Sequence, residues 1–121
     1  MYFELKLPMR KTDKKIDNQI SSTLTDVCEL ALKEIDGFQW ITHLVNYSNF
    51  PKSLKVVCIF DTNEKLSDFM LKNGNTELNS LIQLKLSQVV VKLGNVTNRI
   101  SYDTEENCKN EHDGKWSNRF G

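Results

Sequence analysis

The strongest structural signal in this 121-residue chain is the segment Leu54-Lys55-Val56-Val57-Cys58-Ile59-Phe60. It is almost wholly apolar, which is typical of a strand that is buried on both faces and lies in the middle of its sheet. The run before it, from Phe38 to Tyr47, is aromatic and β-branched but alternates enough to be exposed on one side. Because a short polar segment separates the two runs, they predict an antiparallel hairpin.

Amphipathic helices are predicted on both sides of this hairpin. Apolar residues recur every three or four positions between residues 13 and 36. A short helix follows Asp61-Thr62 and is interrupted at Asn73-Gly74-Asn75, and a third helix runs from there to a point before Gly94. A β-prone stretch at 99–103 then leads into a last short helix or coil.

The order of these elements predicts an α+β fold, α-β-β-α-α-β-α. Because two helices separate the second strand from the third, these strands are expected to be parallel and joined by a right-handed crossover. The expected architecture is a small mixed three-stranded sheet covered by helices. The other face of the sheet is expected to be covered by the C-terminal tail or to remain an uncovered strand surface.

Length and composition favour one domain, at residues 13–121, with a basic N-terminal extension at 1–12. The sequence has sixteen basic and sixteen acidic residues, so no net charge draws the whole chain to nucleic acid or to a lipid surface. No apolar run is long enough to span a membrane, and three cysteines do not suggest a disulfide framework. We therefore expect a cytoplasmic protein without a membrane partner.

Asp61 and Asp103 each follow the C-terminal end of a predicted strand. Because these two strands are predicted to be parallel, the two aspartates could lie at the same edge of the sheet. Paired carboxylates there could hold a divalent cation for phosphodiester chemistry. Both residues, however, head a D-T-x-E motif, in which Asp and Thr are favoured N-cap residues and the glutamate lies in the first helical turn. Helix capping therefore explains both motifs without a metal.

Cysteine and histidine residues form two further pairs that could carry chemistry. Cys108 and His112 are four residues apart, which would place them on one face of a helix as metal ligands, but zinc needs more ligands than these two. His43 could approach Cys58 across the hairpin, although buried cysteines are usually packing residues. We predict no catalytic residue, no metal site and no cofactor.

The basic run at the start of the chain is the best candidate for contact with a polyanion, through Arg10, Lys11, Lys14 and Lys15. The C-terminal segment offers a different surface, because its aromatic residues Trp116 and Phe120 could anchor a protein partner. An exposed strand edge could serve the same purpose.

Four segments carry a resemblance that covers the chain from Met9 onward: Met9–Asn18, Gly37–Asn46, Ser53–Asp61 and Tyr102–Glu106. Together they resemble a family of small proteobacterial proteins often labelled Fis-family transcriptional regulators. That label implies contact with nucleic acid, and no functional residue can be carried over from it.

The element order is also similar, in topology alone, to type II KH-like domains such as ribosome-binding factor A, which bind RNA. The stretch that corresponds to their GxxG signature reads Gly74-Asn-Thr-Glu77 here.

These observations favour a non-enzymatic bacterial accessory protein that contacts nucleic acid or a nucleoprotein complex through the basic run and one face of the sheet. An alternative is a protein-interaction module or homodimer. A metal-dependent phosphodiesterase that uses Asp61 and Asp103 is a third hypothesis.

Overall fold

The apolar stretch around Cys58 forms the middle strand of a sheet in the computed structural model, which describes residues 10–121. Within these residues the sheet has the order β1-β2-β3, with β1 at Phe38–Leu44, β2 at Lys55–Phe60 and β3 at Ile100–Thr104. Strands β1 and β2 are antiparallel, and β2 and β3 are parallel. The predicted mixed topology is therefore confirmed, and so is the central place of the second strand.

Five α-helices surround the sheet in the described part of the chain: α1 Lys11–Glu34, α2 Asn63–Leu71, α3 Gly74–Ser87, α4 Glu105–His112 and α5 Trp116–Phe120. The predicted α+β class and element order are confirmed, with the last predicted helix divided into α4 and α5. Helix α3 ends at Ser87, well short of Gly94, because the β-branched run that follows has a low helix propensity.

The main core lies between one face of the sheet and helices α1 and α3. Strand β2 contributes Val56, Cys58 and Phe60 to this core, and the inner faces of α1 and α3 contribute residues such as Leu24 and Ile82. All five side chains are at most 1% exposed. Each of the larger apolar side chains contributes about 1.5–3 kcal/mol when it is fully buried, so this layer is the main source of stability.

A smaller cluster covers the opposite face of the sheet. Val57 and Ile59 of β2 lie there with Trp40 of β1, and Cys108 and Trp116 from the C-terminal helices pack over them. The two indole rings meet edge to face, with centroids 4.9 Å apart. The C-terminal segment is thus the second layer of the fold, which is why β2 is buried on both faces.

One glycine fixes the path of the chain between α1 and β1. Gly37 has a φ of +86°, in the left-handed region that glycine adopts at little cost. A Cβ atom at this position would lie 2.6 Å from Cβ of Lys65 on α2, so a side chain does not fit. The turn therefore ends α1 and brings the start of β1 close to α2.

Candidate nucleic-acid interface

Three of the four predicted basic residues line one open groove of about 520 Å³ on helix α1. Lys11, Lys14 and Lys15 form one end of it, and further along the same side of the helix come Asn18, Gln19, Ser22 and Thr23. Val89, just after α3, also lines the groove. We call this surface the α1 groove.

The sequence spacing of these residues explains why they share one side of the helix. Starting from Lys11, the lining residues of α1 recur every three or four positions, which is the period of one helical face. The opposite face of α1 carries Ile20, Leu24 and Val27, which are fully buried in the main core. Burial of that apolar face therefore turns the lysines toward solvent.

Arg10, the fourth predicted basic residue, points elsewhere. Its Nε donates a hydrogen bond to Oδ2 of Asp13 at 3.0 Å, and its side chain is 77% exposed. An exposed ion pair of this kind contributes little to stability, so Arg10 can exchange Asp13 for another anion at low cost. Arg10 is the N-cap residue of α1 and thus directly precedes Lys11.

A buried polar cluster lies on the inner side of the same helix. Asp17 is only 5% exposed, and its Oδ1 is 2.7 Å from Nε2 of His43 and accepts a hydrogen bond of 2.7 Å from the Tyr47 hydroxyl. A buried carboxylate requires such partners because its desolvation is costly. The cluster attaches the first half of α1, and with it the lysines, to strand β1 and the loop that follows it.

Sequence reasoning missed Asp17, although a signal for it was present. Asp17 stands three residues before Ile20 and seven before Leu24, so it shares their inward-facing side of the helix. A polar residue on that side predicts a buried partner, and His43 is the partner that β1 provides. His43 faces Val56 in the register of the hairpin, whereas Cys58 faces Ile41.

The paired aspartates serve the termini of two helices. Oδ1 of Asp61 accepts from the backbone N–H of Thr62 at 2.7 Å, and Oδ1 of Asp103 accepts from the backbone N–H of Thr104 at 2.8 Å. Both threonines are N-cap residues, and their hydroxyls accept from the N–H groups of Lys65 and Asn107. The structure thus agrees with the capping interpretation of the two D-T-x-E motifs.

A side chain of α4 also caps α2. Oε1 of Glu106 in α4 accepts from the backbone N–H of Asn63 in α2 at 2.9 Å. The Asn63 side chain in turn accepts from the Thr104 hydroxyl at 2.7 Å and donates to Oδ1 of Asn107 at 2.8 Å. Glu106, the glutamate of the second D-T-x-E motif, therefore caps α2, the other of the two helices. This occurs because the parallel strands β2 and β3 end side by side.

Asp103 has a second role that leaves it poorly suited to bind a cation. Its two oxygens accept from Nε and Nη2 of Arg119 at 2.5 and 3.0 Å, while Nη1 of Arg119 contacts Glu111. These hydrogen bonds raise the pKa of Arg119 above its ordinary value. Within residues 10–121 no group of three or more His, Cys, Asp or Glu residues has the arrangement of a metal site.

The residues of the cysteine and histidine pairs do not line the α1 groove. Cys58 and Cys108 are fully buried, and burial raises the pKa of both thiols, so both remain neutral near pH 7. Nδ1 of His112 lies 3.3 Å from Nη1 of Arg119, a permanently charged donor. Neither thiol is therefore activated as a nucleophile or metal ligand.

The predicted aromatic anchors lie against the sheet. Trp116 is 9% exposed, and Phe120 packs against it and Trp40 with ring centroids 5.3 and 6.4 Å away. Glu105 joins the two indoles, because its Oε1 accepts from Nε1 of Trp40 at 2.5 Å and its Oε2 accepts from Nε1 of Trp116 at 3.0 Å. Trp116 is therefore largely inaccessible to a partner, whereas Phe120 is only half-buried.

Comparison with known proteins does not assign this chain to a family. No protein-family model, no curated protein and no solved structure matches this chain. Among residues 10–121, no helix combines the length and the apolar character of a membrane span. Functional inference therefore depends on the surfaces described above.

Proposed function

We propose that this protein is a non-enzymatic bacterial accessory protein of the cytoplasm that binds nucleic acid, alone or in a nucleoprotein complex, through the α1 groove. The observation that carries the proposal is the convergence of Lys11, Lys14 and Lys15 on one exposed groove, whose lining within residues 10–121 includes no carboxylate. Phosphate groups are the anions that such a set of ammonium groups binds most effectively when they repeat along a polymer.

The local charge of the groove supports this proposal in spite of the neutral chain. Binding depends on charge within about 8–10 Å of the ligand at physiological salt, because more distant exposed charges are screened. Three lysines fall within about 6 Å along the helix axis, since each helical residue advances about 1.5 Å. The positive end of the helix dipole at the N-terminus of α1 adds to their field.

The expected salt dependence follows from the number of lysines. Three phosphate contacts give a slope of log K against log salt of about −2.7 on duplex DNA and about −2.1 on a single strand. Affinity should therefore fall about 40-fold on duplex DNA between roughly 50 and 200 mM salt. Fluorescence anisotropy with a labelled nucleic acid measures this directly.

The test compares two triple variants with equal changes in charge. Lys11→Gln/Lys14→Gln/Lys15→Gln should abolish most of the binding and most of the salt slope. Lys33→Gln/Lys72→Gln/Lys109→Gln removes three exposed lysines outside the groove lining and should bind like the unmodified protein. Equal losses in both variants would refute the proposal, and so would an absence of binding at low salt.

A further inference from the structure

The start of α1, which carries the lysines of the α1 groove, has several features that oppose helix formation. Arg10, the N-cap residue, makes no side-chain hydrogen bond to the first turn, and arginine is not among the residues that favour this position. Three of the first five residues of the helix are lysines, against one aspartate. Positive charge is unfavourable here because the helix dipole is positive at its N-terminus, and lysines three or four residues apart repel each other. The first two turns therefore need support from the rest of the fold.

Asp17 joins these two turns to the sheet. Of residues 11–19, all of which the structure describes, Asp17 is the only one that is buried, and Ile16 beside it is half-buried against the main core. Oδ1 of Asp17 lies 2.7 Å from Nε2 of His43 and accepts a hydrogen bond of 2.7 Å from the Tyr47 hydroxyl. The side chains of Asp17 and His43 are 8% and 4% exposed, so water competes little for these contacts.

We infer that Asp17 is a positioning residue for the three lysines, an inference that rests on the proposed function. Its contacts with His43 and Tyr47 keep the start of α1 helical, and the helical period is what places the lysines on one face. Asp17 lies on the inner side of the helix and does not itself touch the ligand. Because linkage is reciprocal, phosphate groups that neutralise the lysines also stabilise this part of the helix.

The sign of one change in charge distinguishes this role from simple electrostatics. Asp17→Ala removes a negative charge close to the lysines, so electrostatics alone would strengthen binding to a polyanion. The positioning role predicts the opposite. If the start of α1 is helical in about one variant molecule in ten, affinity falls about tenfold. The salt slope should stay near that of the unmodified protein, because the bound state still places three lysines on phosphates.

The experiment measures affinity and salt slope by fluorescence anisotropy with a labelled duplex DNA. Asp26→Ala is the matched control, because it removes an exposed carboxylate from the same helix and should bind at least as tightly as the unmodified protein. Asp17→Asn keeps an acceptor oxygen and should recover most of the affinity that Asp17→Ala loses. Tyr47→Phe removes one hydrogen bond and no charge, so its affinity should fall by a smaller factor than that of Asp17→Ala.

Hydrogen exchange provides a readout that does not depend on the strength of binding. The backbone N–H groups of residues 15–18 should exchange more slowly when the unmodified protein is saturated with the duplex DNA. In Tyr47→Phe without DNA, the exchange of these groups should accelerate more than that of the N–H groups of β2. Such a difference would show that the lost contact acts on the start of α1 rather than on the whole fold.

The results separate this inference from the proposed function. If the lysine triple variant loses binding while Asp17→Ala binds as tightly as Asp26→Ala, the positioning role is wrong and the function stands. Unchanged exchange at residues 15–18 in Tyr47→Phe would also overturn the positioning role, even where Asp17→Ala does not fold. If the lysine triple variant binds normally, both inferences fall.

Discussion

The carboxylate of Glu105 should be one of the most important polar groups for the stability of this protein. It accepts hydrogen bonds from the indole N–H groups of Trp40 and Trp116, which are 7% and 9% exposed. Glu105→Ala removes the acceptor from both indoles at once. Hydrogen bonds to charged groups contribute about 1.5–3 kcal/mol each, so the variant should lose about 3–6 kcal/mol of unfolding free energy.

The conservative variant separates the charge from the hydrogen bonds. Glu105→Gln keeps one carbonyl oxygen as an acceptor but presents an amide NH₂ group to the other indole, so it should lose about half as much. A control is Glu64→Ala, which removes an exposed glutamate from the first turn of α2 and should change stability by no more than about 0.5 kcal/mol. Glu64→Ala should be the most stable of the three variants, Glu105→Gln the next and Glu105→Ala the least stable.

Tryptophan fluorescence is the natural assay, because Trp40 and Trp116 are the two tryptophans in the sequence and both lie at the site. Urea unfolding gives the free energy, and an unchanged m value would show that the denatured state is the same. For a chain of this size a loss of 3 kcal/mol corresponds to a fall in Tm of about 10 °C. If Glu105→Ala unfolds within about 0.5 kcal/mol of the unmodified protein, the two bonds do not stabilise the fold and the reasoning is wrong.

Three further predictions follow from other contacts. Asp17→Ala removes two hydrogen bonds to a buried carboxylate and should cost about 3–5 kcal/mol in urea unfolding, whereas the exposed Asp26→Ala should cost about 0.5 kcal/mol or less. Thr104→Val should lower the free energy of unfolding by about 1–2 kcal/mol in the same assay, because it removes a fully buried N-cap hydroxyl. Thr25→Val, at an exposed position, is the control, and an equal loss in both variants would argue against the cap. Burial raises the pKa of Cys58, so this thiol stays neutral in the folded protein at a pH where it ionises in the unfolded chain. The free energy of unfolding should therefore decline above pH ~8.5, by up to about 1.4 kcal/mol per pH unit. This decline should be smaller in Cys58→Val, and an identical pH profile would show that the thiol does not contribute.

The fold was largely predictable because its strongest signals are local. The apolar run at 54–60 and the apolar spacing of 13–36 each depend on which faces of one element are buried, and a sequence shows this directly. Thr62 and Thr104 likewise mark helix starts that the structure contains. The expectation that α3 stops before Gly94 gave only an outer limit for its end, because several apolar residues continue beyond Ser87 although the helix does not.

The candidate site was less predictable, since it depends on pairs that are distant in the chain. The lysines of α1 were identified by charge, but the groove also needs Val89, which is more than sixty residues away. The same holds for the indoles of Trp40 and Trp116, which meet through a carboxylate on a third element. Asp61 and Asp103 were placed at neighbouring strand ends by topology, whereas the binding of both Asp103 oxygens by Arg119 depends on a contact across the folded C-terminal segment.

The cap that α4 provides for α2 has a consequence for the order in which the chain is made. The backbone N–H of Asn63 bonds with Glu106, more than forty residues later, and β2 receives its parallel neighbour only when Ile100–Thr104 is present. During synthesis β1, β2 and helices α1 to α3 therefore leave the ribosome before β3 and α4, which pair with β2 and cap α2. The final folding step must therefore wait until residues 100–106 have left the exit tunnel.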